Sequence, residues 1–271
     1  MIVQSASPDG SHFVIAMRQH TTFAGQLARH FGNDEFAGLE PQEPMEYMVA
    51  NHDAGWVDLD AASPQDPGTG LPYNLVATPL TDIIGTSAGS PAVNEAHHPF
   101  SGVISSMHTY GLYHGRYGLS DKIFLDAIPD ELRETAEAML DGEQARQQRL
   151  RADLAADPDT APFAGDGFLF HAYKQLQFFD TFSLYLHMKP AGERGTSAFP
   201  NVPRAVGDDV EIDVEERPGS VYALDPYPFD ADGLELATEG RYLVPQPAGT
   251  DLAAKLAATE VSRQAVTLVA A

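Results

Sequence analysis

Apolar residues recur at helical spacing in four well-separated segments of the chain, and this periodicity predicts four core-facing helices. The segments begin near Thr21, after Pro44, after Pro99 and at about residue 167. Their stripes are His20, Phe23, Leu27, Phe31; Met45, Met48, Val49, His52, Trp56; Phe100, Val103, Ile104, Met107, His108, Leu112; and Leu169, Tyr173, Leu176, Asp180, Ser183, Leu184, His187. A fifth, strongly charged helix is predicted over residues 129–156.

Short segments of the β type flank this helical region. Residues 12–17 read as a strand, and residues 210–215 alternate apolar and acidic positions as a half-buried strand does. Further strands are predicted at 221–224, 234–236, 241–244 and 265–269. Residues 57–98 are rich in Asp, Pro, Gly, Ser and Thr, which predicts a long connection covering a functional site.

These elements predict a mainly α fold with a small β-layer formed by the N-terminal strand and the C-terminal strands. We expect residues 1–190 to form the helical core and residues 191–271 a β-rich extension packed on it. A chain of 271 residues with 43% hydrophobic positions is large enough for such a core.

The charge of the chain is extreme, with 39 acidic against 16 basic residues and a net charge of -23. Such a surface repels nucleic acid and anionic membranes, so neither is an expected partner. The acids are spread along the sequence, which favours adaptation to high salt, as in halophilic proteins, over an acidic partner-binding surface. An anionic substrate would then need a metal or a local cation to hold it. An oligomer is compatible with the sequence.

Two further features concern the compartment and the ligands available to a metal. The chain has no apolar run of membrane-spanning length and no secretory signal at Met1–Ser5, so we expect a cytoplasmic protein. It also has no cysteine, so a metal would be held by His, Asp, Glu, amide or water.

The candidate site consists of His20, His52, Asp53, His108 and Asp180. Three predicted helices carry a His on the apolar stripe, and the fourth carries an Asp. Buried His and Asp side chains need partners, and one shared divalent metal would satisfy all of them. Imidazole nitrogens combined with carboxylate oxygens suit Mn, Fe, Co, Ni or Zn, as one or two ions.

The order His20, then His52-Asp53 on a second helix, then Asp180 on a late helix is similar to the HD superfamily of metal-dependent hydrolases. More closely, the chain resembles DUF3891, a prokaryotic family of uncharacterised proteins. The segments that carry this resemblance are Gln19-His20, His52-Asp53-Ala54-Gly55-Trp56, Thr69-Gly70-Leu71-Pro72-Tyr73, Ser106-Met107-His108, Leu176-Gln177-Phe178-Phe179-Asp180 with Ser183-Leu184, and Leu224-Asp225-Pro226-Tyr227-Pro228-Phe229.

The HD resemblance implies an HD-domain-like helical bundle in which His20, His52, Asp53 and Asp180 bind the metal. It implies a metal-activated water, and hence a metal-dependent phosphohydrolase acting on a small phosphorylated metabolite or nucleotide. Asp53 would be a ligand, bridging if two ions are present. His108 would bind a second ion or donate a hydrogen bond to a phosphate, and Lys174 or Arg116 would neutralise the substrate.

Alternatives stay open at this point. For a further histidine ligand, His97, His98 and His114 compete, whereas His171 lies on the opposite side of its helix from Asp180 and is excluded. A single ion is at least as compatible with this pattern as two. Two ions would favour a non-haem di-iron oxygenase of the HD type, and a structural or decayed site would make the chain a non-catalytic metal-binding protein.

Overall fold

The computed structural model describes residues 1–7 and 9–271, about half of them helical. The helices are α1 (Met17–Arg29), α2 (Gln42–Asn51), α3 (Val57–Ala62), α4 (Leu80–His97), α5 (Pro99–Tyr113), α6 (Gly115–Gly118), α7 (Asp130–Ala156), α8 (Asp166–Met188) and α9 (Leu252–Ala258). The short α6 is a turn in which Arg116 and Tyr117 have left-handed backbone. A 3-10 turn at Ala54–Trp56 joins α2 to α3.

The strands form a curled, mixed sheet. They are β1 (Ile2–Val3), β2 (His12–Ile15), β3 (Ser197–Ala205), β4 (Asp208–Arg217), β5 (Val221–Asp225), β6 (Leu234–Leu243) and β7 (Ser262–Ala270). Their spatial order is β1-β2-β6-β7-β5-β4-β3, and only the β5–β7 pair is parallel within the described residues. The N-terminal strands therefore extend the C-terminal sheet through the antiparallel pairing of β2 with β6.

The predicted fold class, a mainly α bundle with a small β-layer, is wrong. The sheet has seven strands among the described residues and holds about a fifth of the chain, so it is a major layer. The sequence pattern underestimated it at three places. It split β6 into two short strands, and it missed β1 and β3 entirely.

Strand β3 escaped detection because Pro200 and Pro203 interrupt its apolar pattern. Proline cannot donate to a β-ladder, so a sequence containing two prolines reads as a loop. In the structure β3 is the edge strand next to β4, where one side of the backbone needs no partner. The edge position is a property of the assembled sheet and is invisible in the local pattern.

The prediction that residues 57–98 form a long connection is also wrong, because α3 and α4 occupy much of this segment. Helix α4 contains Pro91 and several Gly and Ser residues, all of which depress helix propensity. Tertiary packing compensates, since α4 lies against α5 and against the turn that follows α2. Small side chains on α4 permit this close approach.

Helix α8 is central, as its apolar sequence predicted. It packs against α1, α2, α5 and β3, and the stripe Leu169, Tyr173, Leu176 is completely buried. The largest apolar cluster joins this stripe to sheet residues such as Ile212 and Leu268. Whether residue 190 separates two folding units stays a prediction. Among the described residues, no helix combines the length and the apolar character needed to cross a membrane.

Acidic side chains form a like-charged row on β4. Glu211, Asp213 and Glu215 are exposed and alternate with the buried Ile212 and Val214. Neighbouring carboxylates on one face of a strand repel each other, and this repulsion weakens as salt shortens the Debye length. Repulsion on the outward face of this strand is therefore one way in which the net charge of -23 destabilises the fold at low salt.

We expect the melting temperature to rise as KCl is increased from about 0.1 M to about 1 M, because the Debye length falls from about 10 Å to about 3 Å. Scanning calorimetry at a series of KCl concentrations measures the effect. NaCl should act in the same way, since screening depends on ionic strength. A melting temperature that stays constant or falls over this range would contradict the screening explanation.

Candidate metal centre

The structure brings together all five residues of the predicted site. His20 lies in the first half of α1, His52 and Asp53 directly follow α2, His108 lies on α5 and Asp180 lies on α8. His20 and His52 are completely buried, and His108 and Asp180 are nearly so. Asp53 is the most accessible member, with 17% of its side chain exposed.

The carboxylate of Asp180 lies between two imidazoles. Its Oδ1 atom is 3.3 Å from His20 Nε2 and 3.6 Å from His52 Nε2. The carboxylate of Asp53 adds an Oδ2 atom 3.8 Å from the same His52 nitrogen. The His52 ring is also edge-on to the rings of His20 and His108, with centroid distances of 5.4 and 5.3 Å. Four segments of the fold therefore meet at His52.

The hydrogen bond of His52 to its own helix determines which nitrogen faces the site. His52 Nδ1 is 2.7 Å from the carbonyl oxygen of Val49, in the last turn of α2. A carbonyl oxygen only accepts, so Nδ1 carries the hydrogen and the neutral ring has its lone pair on Nε2. That Nε2 atom is buried without a hydrogen-bond partner among the described residues. It faces two carboxylates, which are also acceptors.

Helix α4 holds the end of α2 in place. The Asn94 amide donates to the carbonyl oxygen of Asn51 at 2.9 Å, and the backbone N–H of Gly55 donates to Ser90 Oγ at 3.0 Å. Both contacts flank the His52-Asp53 pair in the chain. Because backbone groups at a helix end need partners outside the helix, α4 supplies the contacts that fix this segment.

Ser183 orients His20. Its hydroxyl donates to the carbonyl oxygen of His20 at 3.3 Å, and its Oγ lies 2.8 Å from His20 Nδ1. When the hydroxyl donates to that carbonyl, Oγ accepts from Nδ1–H and the Nε2 lone pair of His20 is free for a cation; when it donates to Nδ1 instead, Nε2–H donates to Asp180 Oδ1 at 3.3 Å. An outer hydrogen bond of this kind is typical of histidines that ligate a metal.

Gln177 contacts the remaining histidine. Its Nε2 atom is 3.0 Å from His108 Nδ1, while its Oε1 atom is buried and has no partner among the described residues. Rotating the amide by half a turn would place Oε1 against an Nδ1–H and leave His108 Nε2 with a lone pair, with the amide Nε2 then in the position that has no partner. The two amide orientations therefore correspond to two roles for His108, donor or ligand.

The pKa values of these groups reflect the competition between burial and charge. Burial by itself would lower the pKa of His52, but the carboxylates of Asp53 and Asp180 outweigh it and raise the pKa to about 9. Burial opposes ionisation of Asp180, yet the imidazoles of His20 and His52 hold its pKa well below the ordinary value. For His108, burial dominates and lowers the pKa to about 4. The cluster thus requires one positive charge, which a proton or a cation can supply.

The residues fit a divalent cation. Ligand atoms of His20, His52 and Asp53 lie within 4.8 Å of one another, and so do those of His52, His108 and Asp180. Both triads contain His52, whose Nε2 atom is the orphaned acceptor. A metal ion here would meet nitrogen and carboxylate ligands, a set that suits Mn, Fe, Co, Ni or Zn.

The other candidates from the sequence lie outside the cluster. Lys174 is on α8 but is buried in an ion pair with Asp209. His97 forms a surface pair with Glu43, His98 caps α5 by accepting from the N–H of Phe100 at 3.0 Å, and His114 stacks on Tyr110. His171, which the helical geometry excluded, is not part of either triad.

Three polar residues around the cluster were not assigned a role from the sequence. They are Gln177, Ser183 and His187, all on α8 and all buried. His187 Nδ1 lies 3.4 Å from Ser183 Oγ, and its ring is 5.8 Å from that of His20. Their positions, three before and three and seven after Asp180, place them on its side of the helix, and this spacing was the available signal.

Comparison with known proteins bears on the resemblance to DUF3891. Neither the curated proteins nor the solved structures include a match to this chain. The sequence profile of the family described as "Protein of unknown function (DUF3891)" matches residues 1–245, which is most of the chain. The chain therefore belongs to the DUF3891 family.

Proposed function

We propose that the protein is a metal-dependent phosphohydrolase that acts on a small phosphorylated molecule. The observation that carries this proposal is the orphaned Nε2 atom of His52. The Val49 hydrogen bond turns this atom toward the carboxylates of Asp53 and Asp180, where it can carry a proton or ligate a cation. A cation shared by these groups would satisfy three acceptors at once, two of them buried.

In this proposal His20, His52, Asp53 and Asp180 hold the ion, as the likeness to the HD superfamily implies. A divalent ion in such a site supplies an activated water and polarises a phosphoryl oxygen. Ser183 keeps His20 in the required tautomer. With Gln177 donating to its Nδ1, His108 carries a hydrogen on Nε2 and can donate it to a phosphate oxygen.

The ligand set favours one ion. The two triads among the described residues share His52, and one imidazole nitrogen ligates a single ion. A di-iron oxygenase needs a second, independent set of ligands, and His97, His98 and His114 lie outside the cluster. This arrangement supports hydrolysis over oxygen chemistry. We also keep the cytoplasmic location and the anionic substrate as parts of the proposal, on the composition of the chain.

Elemental analysis of the purified protein, combined with a phosphoester assay, tests the proposal. We expect one divalent ion per chain, loss of hydrolysis after chelation, and recovery with Mn, Co, Ni or Mg. Hydrolysis should be absent in His52→Ala and retained in His97→Ala, a matched control whose surface pair with Glu43 lies outside the cluster. No turnover of a broad phosphoester panel with any of these metals would refute the proposal, and two irons per chain would favour the oxygenase.

A further inference from the structure

A second polar feature lies beside the candidate metal centre and takes no part in it. A cavity of about 250 Å³ is formed between the α6 turn, one face of α8 and strand β3. Lys174, Gln177, Phe178 and Thr181 supply the α8 wall. Gln177 also contacts His108 at 3.0 Å, so the cavity and the cluster adjoin at this side chain.

The charge of this cavity is opposite to that of the protein. Arg116 and Lys174 line it, and its lining residues include no acid, although the chain has 39 acidic residues. Lys174 is neutralised by Asp209. The ion pairs formed by Lys and Arg side chains of the described residues involve Arg133, Arg146, Arg149, Arg151, Lys174, Arg204 and Arg217, and Arg116 is not among them. The guanidinium of Arg116 is therefore the uncompensated charge of the cavity.

Two residues that line the cavity have left-handed backbone. Arg116 has φ 52° and Asn201, on the opposite wall, has φ 60°. Left-handed backbone is costly for an arginine, whereas glycine adopts it freely and asparagine tolerates it, so the strain lies at Arg116. Gly115 and Gly118 flank the strained pair Arg116 and Tyr117, so glycine is the residue that this turn accommodates best. Left-handed backbone at a residue other than glycine is typical of functional positions, and here it carries a guanidinium at the cavity.

We propose that this cavity binds the phosphate group of the substrate through Arg116, and that the substrate is a small phosphate monoester with an apolar or aromatic leaving group. Guanidinium groups match phosphate oxygens in a bidentate geometry. Phe178 and Phe199 provide an apolar floor for the rest of the molecule, and Gln177 and Thr181 are additional polar groups at the wall. The inference rests on the proposed phosphohydrolase function and names the substrate class of that site.

Binding of phenyl phosphate to the chelated full-length protein, measured by isothermal titration calorimetry, tests the role of Arg116 without the metal. We expect wild type to bind and Arg116→Gly to bind at least about tenfold more weakly. The same variant should melt at an unchanged or higher temperature, because glycine relieves the left-handed strain. Ser220→Gly, at a left-handed position (φ 60°) in the β4–β5 turn, is the matched control and should leave binding unchanged.

The outcomes separate this inference from the proposed function. His52→Ala should still bind phenyl phosphate while it loses hydrolysis, since the cavity does not include His52. Equal binding by wild type and Arg116→Gly, or no binding by wild type at millimolar concentration, would overturn the cavity assignment. Binding that depends on Arg116 without any metal-dependent turnover would uphold the assignment and refute only the hydrolase.

Discussion

Asp180→Asn is expected to abolish metal binding and hydrolysis while the fold persists. Asparagine has the shape of aspartate without its charge, and Asp180 Oδ1 lies within 3.6 Å of the facing nitrogens of both His20 and His52. Loss of this central anion should lower the metal affinity by more than about 100-fold. Even the removal of a residue that only hydrogen-bonds to a ligand typically lowers the affinity about 10–100-fold. Elemental analysis measures the metal content, a metal titration measures the affinity, and far-ultraviolet circular dichroism reports whether the fold persists.

Ser183→Ala is the graded control for this experiment. It removes the hydroxyl 2.8 Å from His20 Nδ1 but no ligand atom. Its metal affinity should fall by roughly 10–100-fold, and activity should return at saturating metal. If Asp180→Asn keeps a full equivalent of metal at unchanged affinity, the cluster is not the metal site. Unchanged metal content and melting temperature in His52→Ala would likewise support a purely structural cluster.

Gly55→Ala is expected to destabilise the protein and to impair the site at the same time. A Cβ atom at Gly55 would lie 2.0 Å from the carbonyl oxygen of Thr86 and 2.9 Å from the backbone nitrogen of Ser90. Both atoms belong to the backbone of α4, so a whole helix must shift. Overpacking of this kind costs about 1–3 kcal/mol or more, which lowers the melting temperature by several degrees. Metal affinity should fall too, because Gly55 closely follows the His52-Asp53 pair.

Gly142→Ala provides the opposite case. Gly142 is exposed in the middle of α7, and a Cβ atom there meets nothing within 4 Å. Replacing a helical glycine with alanine at such a position should stabilise the protein by about 0.5–1 kcal/mol and leave metal binding unchanged. Thermal unfolding of the two variants side by side provides the measurement. A Gly55→Ala protein that melts like wild type would show that α4 can move away without cost.

The composition of the candidate site could be predicted because four of its five residues break an apolar stripe and the fifth, Asp53, follows one of them directly. His20, His52, His108 and Asp180 each occupy a position that helical periodicity assigns to the core. A buried imidazole or carboxylate needs a polar partner, so four such residues are expected to contact one another. The structure brings these residues together with Asp53. Whether they bind a metal stays a prediction.

The interactions that orient these groups were not predictable from the sequence. Ser183 contacts His20 across 163 positions of the chain, and Gln177 contacts His108 across 69. Each of these α8 residues sits among many polar and apolar neighbours with the same local pattern. Only the crossing of α8 with α1 and α5 decides which side chains meet. For the same reason Lys174, a candidate for substrate binding, is found paired with Asp209 from β4.

By itself, the sequence determined the helices with strong apolar periodicity, α1, α2, α5 and α8, the charged helix α7, and most of the polar residues that meet in the cluster. Periodicity is local, so it survives without tertiary information. The tertiary structure alone decided the helical state of α4, the edge strand β3 and the extent of the sheet. Glycine, proline and serine disfavour both elements locally, and only packing against α5 and pairing with β4 outweigh that preference.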